Sequence, residues 1–354
     1  MNVNRIIEVD DGDTINALQE FLAAWWKQYK FDAMLAPIEL PDRSVVELQV
    51  IKKPQELMSV NPFAPVMISN AAFMAIQFIQ DFPKAKLAVI LRPCELRTFV
   101  ELQKIGRVPA DSDSLVLLGV DCPGVLHPDE FRRQVEALGI ETVTRSVLHD
   151  ATEGHLRSPL MRTACQICDW VSPRGADVTI GVIGAASDKF ILLIAHDETT
   201  DARLFLETVT VSLATEYQVS HRETVVGAIV DLRANVRNNL LENFQSKCRF
   251  NELGCLLAFF ANCTMCGECL NACPLYYGGD AEPQDKLSLI EELVYISRWF
   301  ASCSGCGMCE QSCNQNVPLT LLVSSLSHRI CQELHYIPGD PAQQFPWVVK
   351  LEDI

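Results

Sequence analysis

Cys263-Thr-Met-Cys266-Gly-Glu-Cys269-Leu-Asn-Ala-Cys273-Pro274 and, about thirty residues on, Cys303-Ser-Gly-Cys306-Gly-Met-Cys309-Glu-Gln-Ser-Cys313 carry one spacing twice. Each is the C-x2-C-x2-C-x3-C run that wraps a [4Fe–4S] cube, three thiolates coming from one tight loop and the fourth crossing to the neighbouring cluster. On that rule Cys263, Cys266, Cys269 and Cys313 hold cluster A, while Cys303, Cys306, Cys309 and Cys273 hold cluster B. Two-residue gaps let a curling loop turn three sulfurs inward, and Gly267, Gly305 and Gly307 place no side chain in the way of that turn. A pair of four-cysteine zinc sites is the alternative, since the same ligands bind zinc tetrahedrally. Zinc knuckles, however, bring cysteines as C-x2-C pairs and not as four in one run followed by Cys-Pro.

The rest of the composition is that of a packed chain with room for two or three domains: 354 residues, 49% hydrophobic and 21% charged. Fifteen cysteines, clustered and without an export signal, point to metal ligands in a reducing compartment and away from disulfides. The opening Met1-Asn2-Val3-Asn4-Arg5 has neither a secretory apolar region nor twin arginines, so the expected location is the cytoplasm. No apolar run approaches the roughly 20 residues that cross a bilayer. The formal charge of −16 argues against nucleic acid and anionic membrane faces as partners, because both reward basic patches. From Cys255 onward eleven Asp and Glu stand against four Lys and Arg, a net of −7. Negative surroundings disfavour an added electron, so low-potential clusters are expected there.

Toward the amino terminus the pattern becomes α/β. Thr14, Ile15, Leu18, Leu22, Trp25 and Trp26 form a helical stripe over 14–27, with Thr14 as N-cap. Met34–Ile38, Val45–Ile51 and Val66–Ser69, set apart by prolines, read as strands or edge segments. A helix at about 70–82 leads to the run Leu87–Leu91, and a second at about 95–105 leads to Leu115–Leu118, which is the length of a parallel βαβ unit. Val178–Ile183 and Phe190–Ala195 read as a further strand pair.

Strand Leu87–Leu91 ends in Arg92-Pro93-Cys94-Glu95, and the strand that begins at Leu115 ends in Asp121-Cys122-Pro123-Gly124. Both cysteines thus fall at carboxyl ends of adjacent strands, the edge where open α/β sheets hold ligands. Cys165-Gln-Ile-Cys168 adds a pair at ligand spacing. The four can converge on a further [4Fe–4S] cluster, although Cys94 and Cys122 stand singly and lone cysteines are commonly small buried hydrophobes. Cys248, Cys255 and Cys331 have no partner at motif spacing and read as core residues, and none of the seven histidines forms a ligand pair.

Arg-Pro-Cys-Glu after a strand, then Gly119-Val-Asp121-Cys122-Pro-Gly, then Cys165-x-x-Cys168-Asp-Trp followed by Ala176-Asp177-Val-Thr-Ile-Gly181, resembles the beta subunit of coenzyme F-420 (deazaflavin) reducing hydrogenases and related formate dehydrogenases over roughly residues 30–200. The segment from Asn61 to Ala71 is similar to the family's sequence ahead of the Pro-Cys strand. The resemblance implies that Cys94, Cys122, Cys165 and Cys168 hold a third [4Fe–4S] cluster beside a bound FAD, with Asn70, Arg92 and Pro93 on the flavin. No G-x-G-x-x-G phosphate loop occurs; Arg92 and the amides opening the helix after Pro93 are the residues suited to a phosphate or ring carbonyls.

After residue 200 comes a long amphipathic segment with Val225, Ile229, Leu232, Val236 and Leu240 on one stripe, read as a core helix joining two halves. Between and after the cysteine runs, Leu289, Leu293, Ile296 and Phe300, then Leu319, Leu322, Val323, Leu326 and Ile330, mark two helices, with Pro318 opening the second. Such helices resemble the α-helical ferredoxins of heterodisulfide reductase and of fumarate or succinate oxidoreductases. The tail, with prolines at 338, 341 and 346, is free to lie on a partner subunit.

The expected architecture is therefore an α/β flavin and iron–sulfur domain (1–200), linker helices (201–250), a mainly α-helical two-cluster ferredoxin domain (251–336) and a tail (337–354). Cubes pass single electrons and do no bond chemistry, whereas a flavin exchanges electron pairs with a nicotinamide or deazaflavin. The expected function is an iron–sulfur flavoprotein subunit of an oxidoreductase complex whose partner is a formate dehydrogenase, hydrogenase or heterodisulfide reductase-like subunit. The alternative is a flavin-free adaptor wiring two larger redox enzymes. No acid/base pair or nucleophile triad is legible.

Overall fold

The computed structural model describes residues 3–40, 45–107, 114–155, 158–204, 206, 209, 211–247, 253–276 and 289–346. Its amino-terminal part is built on an eight-stranded mixed sheet of order β3-β2-β4-β5-β6-β7-β1-β8. The strands are β1 (Val3–Glu8), β2 (Ala33–Leu40), β3 (Val45–Ile51), β4 (Leu87–Leu91), β5 (Leu115–Val120), β6 (Val178–Gly181), β7 (Phe190–Ala195) and β8 (Ser212–Leu213). β2, β4, β5 and β6 run parallel, and antiparallel pairs extend the sheet on both sides.

A parallel centre requires cover on both faces, which is why Leu87–Leu91 is apolar throughout and not alternating. Leu87, Val89 and Leu91 pack under α2 (Ala71–Asp81) and α3 (Pro93–Lys104). Ala88 and Ile90, on the other face, meet Leu18, Leu22, Trp25 and Trp26 of α1 (Thr14–Tyr29). Asp13, not Thr14, caps α1, accepting from the Asn16 amide at 3.0 Å, because the Thr14 hydroxyl is taken by the Ser187 carbonyl (2.6 Å). Val66–Ser69 is irregular and not a strand: prolines 62 and 65 remove ladder donors, and the Val66 amide turns back to Ala64 O (2.8 Å). The β1 strand, and α4 (Pro128–Leu138) with α5 (Ile140–Thr152), carry no pattern that the sequence reading used.

α6 (Thr163–Gln166) and α7 (Glu198–Arg203) are short, and α8 (Glu216–Lys247) is one 32-residue helix lying against the sheet domain. Its inward face is not the plain apolar stripe expected. Ile229 is buried, but Arg222 and Arg233 are buried beside it while Leu232 is exposed. The carboxyl-terminal part is helical, with α9 (Leu253–Phe259), α10 (Glu268–Asn271), α11 (Leu289–Ala301), α12 (Met308–Gln311) and α13 (Leu319–Glu333); Pro318 sits just ahead of α13 as its N-cap. Cys248 and the side chain of Cys255 lie outside the described residues. Cys331 is half-buried against the Ala301 carbonyl. Among the described residues no helix is long and apolar enough to cross a membrane.

The start of the tail is anchored on its own chain. Glu101 on α3, fully buried, accepts from Tyr336 Oη (2.6 Å), the Gly339 amide (2.7 Å) and Lys104 Nζ (2.9 Å), and Arg97 Nε donates to Pro338 O (3.0 Å).

The end of β5 is fixed by a buried ion pair. Arg222 Nη2 donates to both oxygens of Asp121 (2.7 and 2.9 Å), and Asp121 Oδ2 also accepts from the Val182 and Ile183 amides (3.0 and 3.1 Å). This joins β5, the turn after β6 and α8 one residue before Cys122. Asp121→Ala leaves Arg222 buried with no carboxylate and is expected to cost about 3–5 kcal/mol, read as a lowered denaturation midpoint of the anaerobic protein.

Candidate iron–sulfur sites

The four amino-terminal cysteines come from separate elements to one place. Cys94 stands in the first turn of α3, directly after β4; Cys122 follows β5 and donates its amide to Val171 O (2.8 Å). Cys165 lies in α6 with its amide on Arg162 O (2.9 Å), and Cys168 follows, its thiol on Trp170 O (3.6 Å). Cys94, Cys122 and Cys165 pack around buried Met67, Val125 and Met308, together with Cys306 and Ala272 from the dicluster part.

Their electrostatics match that convergence. Burial pushes the Cys94 thiol well up, with the charges of Glu95, Cys306, Cys122 and Cys168 adding to it. Burial likewise raises Cys122 to about 11, against the pull of Arg92. Cys168 is raised by burial against Arg233 and Arg97. Cys165 alone falls below its ordinary value: burial raises it, but the Arg162 guanidinium, 3.6 Å from its sulfur, and the Val125 amide win. Such thiols stay protonated unless a cation draws off the proton, which is what a metal centre does to a coordinating sulfur.

In the dicluster part the electrostatic neighbours of the cysteines cross between the two runs. Cys303 is pushed up to about 12 by burial, with Cys306 and Cys273 adding to it, and Cys309 is raised by burial and by Cys303, Cys306 and Cys273. Cys269 is raised by burial and then by Cys313 and Cys263. Cys273 therefore stands with the second run and Cys313 with the first. The loops turn on left-handed residues, Gly267 (φ 80°) before α10, and Gly305 and Gly307 (φ 68° and 70°) before α12. Trp299 Nε1 donates to Cys273 Sγ (3.3 Å), and Ser312 Oγ ties the loops together through Glu268 O (3.2 Å). Cys263 and Cys266 are exposed, whereas the other ten candidate cysteines are at least partly covered. Among the described residues no three His, Cys, Asp or Glu side chains close around a single metal ion.

A polar seam joins the two parts. Arg97 Nη1 donates to Ser304 O (2.9 Å) and Thr98 Oγ1 to Ser304 Oγ (2.7 Å). Arg162 Nη1 donates to Gln311 Oε1 (2.8 Å), whose amide nitrogen reaches Met67 O (3.0 Å). The guanidiniums of Arg97 and Arg174 lie over the Trp170 ring, 4.5 and 4.8 Å from its centre. Of these residues the motifs quoted from sequence contained Trp170, Ser304 and Gln311 without assigning them a role. Arg97 and Arg162 carried no signal, because nothing in one sequence says which loop faces which helix.

The flavin candidates are otherwise engaged. Asn70 caps α2 through the Ala72 amide (3.0 Å) and donates to Thr98 Oγ1 (3.2 Å). Arg92 Nη2 donates to Pro62 O and Ala64 O (3.4 and 2.9 Å), and Pro93 is buried in the first turn of α3. The cavity beside Arg92, lined also by Glu95, Met67 and Ser69, measures about 40 Å³, against roughly 300 Å³ or more for ordinary cofactor pockets. Asn70, Arg92 and Pro93 do not fit FAD as arranged here.

Gly307 marks the closest approach across the seam: a Cβ there would come within 2.3 Å of Ala164 Cβ. Gly307→Ala, strained by about 1–2 kcal/mol at its positive φ and blocked by Ala164, is expected to cost the anaerobic protein up to one cube, about four iron atoms. Gly106→Ala, at φ 77° with open space around it, should keep its iron, so the comparison separates crowding from backbone strain.

Residues 84–209 match the family described as the carboxyl-terminal part of the coenzyme F420 hydrogenase/dehydrogenase beta subunit, and residues 260–317 match the 4Fe-4S dicluster domain. The chain is 22% identical over 289 residues to the F420-dependent formate dehydrogenase subunit beta of Methanocaldococcus jannaschii, covering 72% of this chain and 74% of that one. It is 27% identical over 139 residues to F420-dependent formate dehydrogenase 1 subunit beta of Methanococcus maripaludis, about a third of each chain (33% and 35%). A chain of the F420-reducing [NiFe] hydrogenase complex from Methanosarcina barkeri superposes with a TM-score of 0.49 at 9% identity, over 69% of this chain and 92% of that one. Residues 84–209 are thus similar to the coenzyme F420 hydrogenase/dehydrogenase beta-subunit family, and residues 260–317 to the 4Fe-4S dicluster domain.

Proposed function

We propose that the chain is the iron–sulfur electron-transfer subunit of a cytoplasmic oxidoreductase complex, with three [4Fe–4S] clusters held by the cysteine sets named above. The observation that carries this reading is the adjacency of the sets. Cys306 of the second run bears on Cys94 at the sheet edge, and Cys273 ties the second run to the first. The ligand sets thus form a line that starts under the sheet and ends at exposed Cys263 and Cys266, beside Met265, which is 90% exposed. A bound cube supplies storage of one electron at a time. The residues hold and insulate it: Met67, Val125 and Met308 exclude water, Arg162 and Trp299 donate to cysteine sulfurs, and Ser304 and Gln311 fix the spacing between the two halves. The domain limits that go with this reading are 1–200, 201–250, 251–336 and 337–354.

The relatives' names supply the partner class, a formate dehydrogenase or hydrogenase subunit, with a heterodisulfide reductase-like assembly as the third candidate. FAD, exchanging with a nicotinamide or deazaflavin, is the further cofactor the resemblance implies; no step is derived through it, because the Arg92 cavity is too small for it. The second reading is a flavin-free adaptor between two larger redox enzymes.

Anaerobic protein should contain about twelve iron atoms per chain, three cubes of four, and Cys122→Ser about eight. Eight in both would remove the amino-terminal cluster from the reading. Acid precipitation discriminates the two forms of the proposal: a yellow, fluorescent supernatant supports the flavoprotein, and a colourless one with the same iron supports the adaptor. Copurification of the native complex tests the partner class; a chain that runs alone from its native source argues against a subunit role.

A further inference from the structure

Three guanidiniums are buried around the amino-terminal cysteine set. Arg92, Arg162 and Arg233 are 8%, 7% and 1% exposed. Arg92 donates to the carbonyls of Pro62 and Ala64; Arg162 to Gln311 Oε1, to Met308 Sδ at 3.6 Å and to Cys165 Sγ at 3.6 Å; Arg233 to Cys168 O at 3.3 Å and to Pro123 O. Among the described residues none of the three has a carboxylate partner, and the Nε atoms of Arg162 and Arg233 have no acceptor. A buried cation without a counter-ion costs several kcal/mol. Arg222 shows the usual solution in this same domain, a carboxylate at 2.7 Å.

The missing counter-charge must lie where the three side chains meet. Arg92 bears on Cys122, Arg162 on Cys165, and Arg233 on Cys122, Cys165 and Cys168. Against them stands Glu95, a buried carboxylate that bears on Cys94 and is spent on the Arg92 and Ala71 amides (2.8 and 3.2 Å). Four neutral thiols offer nothing to three cations, whereas four thiolates around a cube do. The exposed set at Cys263 and Cys266 lies in the stretch of net charge −7. Positive charge and hydrogen bonds to sulfur favour the reduced cube, while anionic surroundings oppose it.

We propose that Arg92, Arg162 and Arg233 are the fixed counter-charge of the Cys94, Cys122, Cys165 and Cys168 set and make its cluster the most easily reduced of the three. The proposal rests on the three-cluster reading above, and it assigns the arginines a positioning and tuning role, with electrons resting at the sheet end of the line.

The test is a potentiometric titration of the holoprotein followed by paramagnetic resonance, with iron counted in each sample. The signal lost in Cys122→Ser, or equally in Cys94→Ser, identifies the cluster, and in the unmutated protein it should have the most positive midpoint. Arg162→Gln should make its reduction at least tenfold less favourable, a shift of about 59 mV for one electron, and Arg162→Lys less than half of that, with the other two signals unmoved. Should Arg162→Gln lose the cluster, Arg233→Lys against Arg233→Gln gives the same comparison. A most negative midpoint for this cluster, or an unmoved midpoint in Arg162→Gln at full iron, overturns the proposal. About eight iron atoms in the unmutated protein overturns the three-cluster reading beneath it, a distinguishable result.

Discussion

Thiolates repel one another, and a dry interior magnifies the repulsion. That is the constraint under which this chain is built, since most of its candidate ligands are partly or wholly covered. Burial drives Cys94, Cys122, Cys303 and Cys309 toward the neutral thiol, and their neighbours' charges push several of them further the same way. A fold with such groups converging at its centre is in tension until positive charge arrives. Buried guanidiniums supply part of it at the sheet edge.

α3 is the element that reconciles the two halves. Its first turn presents Cys94 at the end of a parallel strand; one turn on, Arg97 and Thr98 grip Ser304, the residue after Cys303; a further turn on, Glu101 receives the tail. Residues on one helix thus bind three regions far apart in sequence. The sheet places the helix, because Leu91 and Leu96 share a core with the strands beside them, and Asp121 with Arg222 fixes the adjacent strand end.

Much of this was legible from residue order. The dicluster domain follows from spacing alone, because sulfur geometry leaves few ways to wrap a cube. The parallel centre follows from Leu87–Leu91 and Leu115–Val120, since a continuous apolar run between helices has to be buried on both faces. What stayed hidden was set by long-range contact. Arg233 sits on a helix whose periodicity suggested Leu232 as the inward residue, and its burial depends on carbonyls of Pro123 and Cys168 more than sixty residues away. The flavin residues were carried by resemblance; Asn70 and Arg92 instead spend their polar atoms on Ala72, Thr98, Pro62 and Ala64, contacts invisible until the loop from Asn61 to Asn70 is folded.

The anchoring of Tyr336 and Gly339 on Glu101 has a bearing on how charge leaves the molecule. A mobile carrier arm needs a slack hinge, but here the helical module is tethered at both flanks, by α8 on the way in and by the returning tail on the way out. The exposed rim at Cys263 and Cys266 is therefore carried on a module held to the sheet domain by its tail, and not on a free arm.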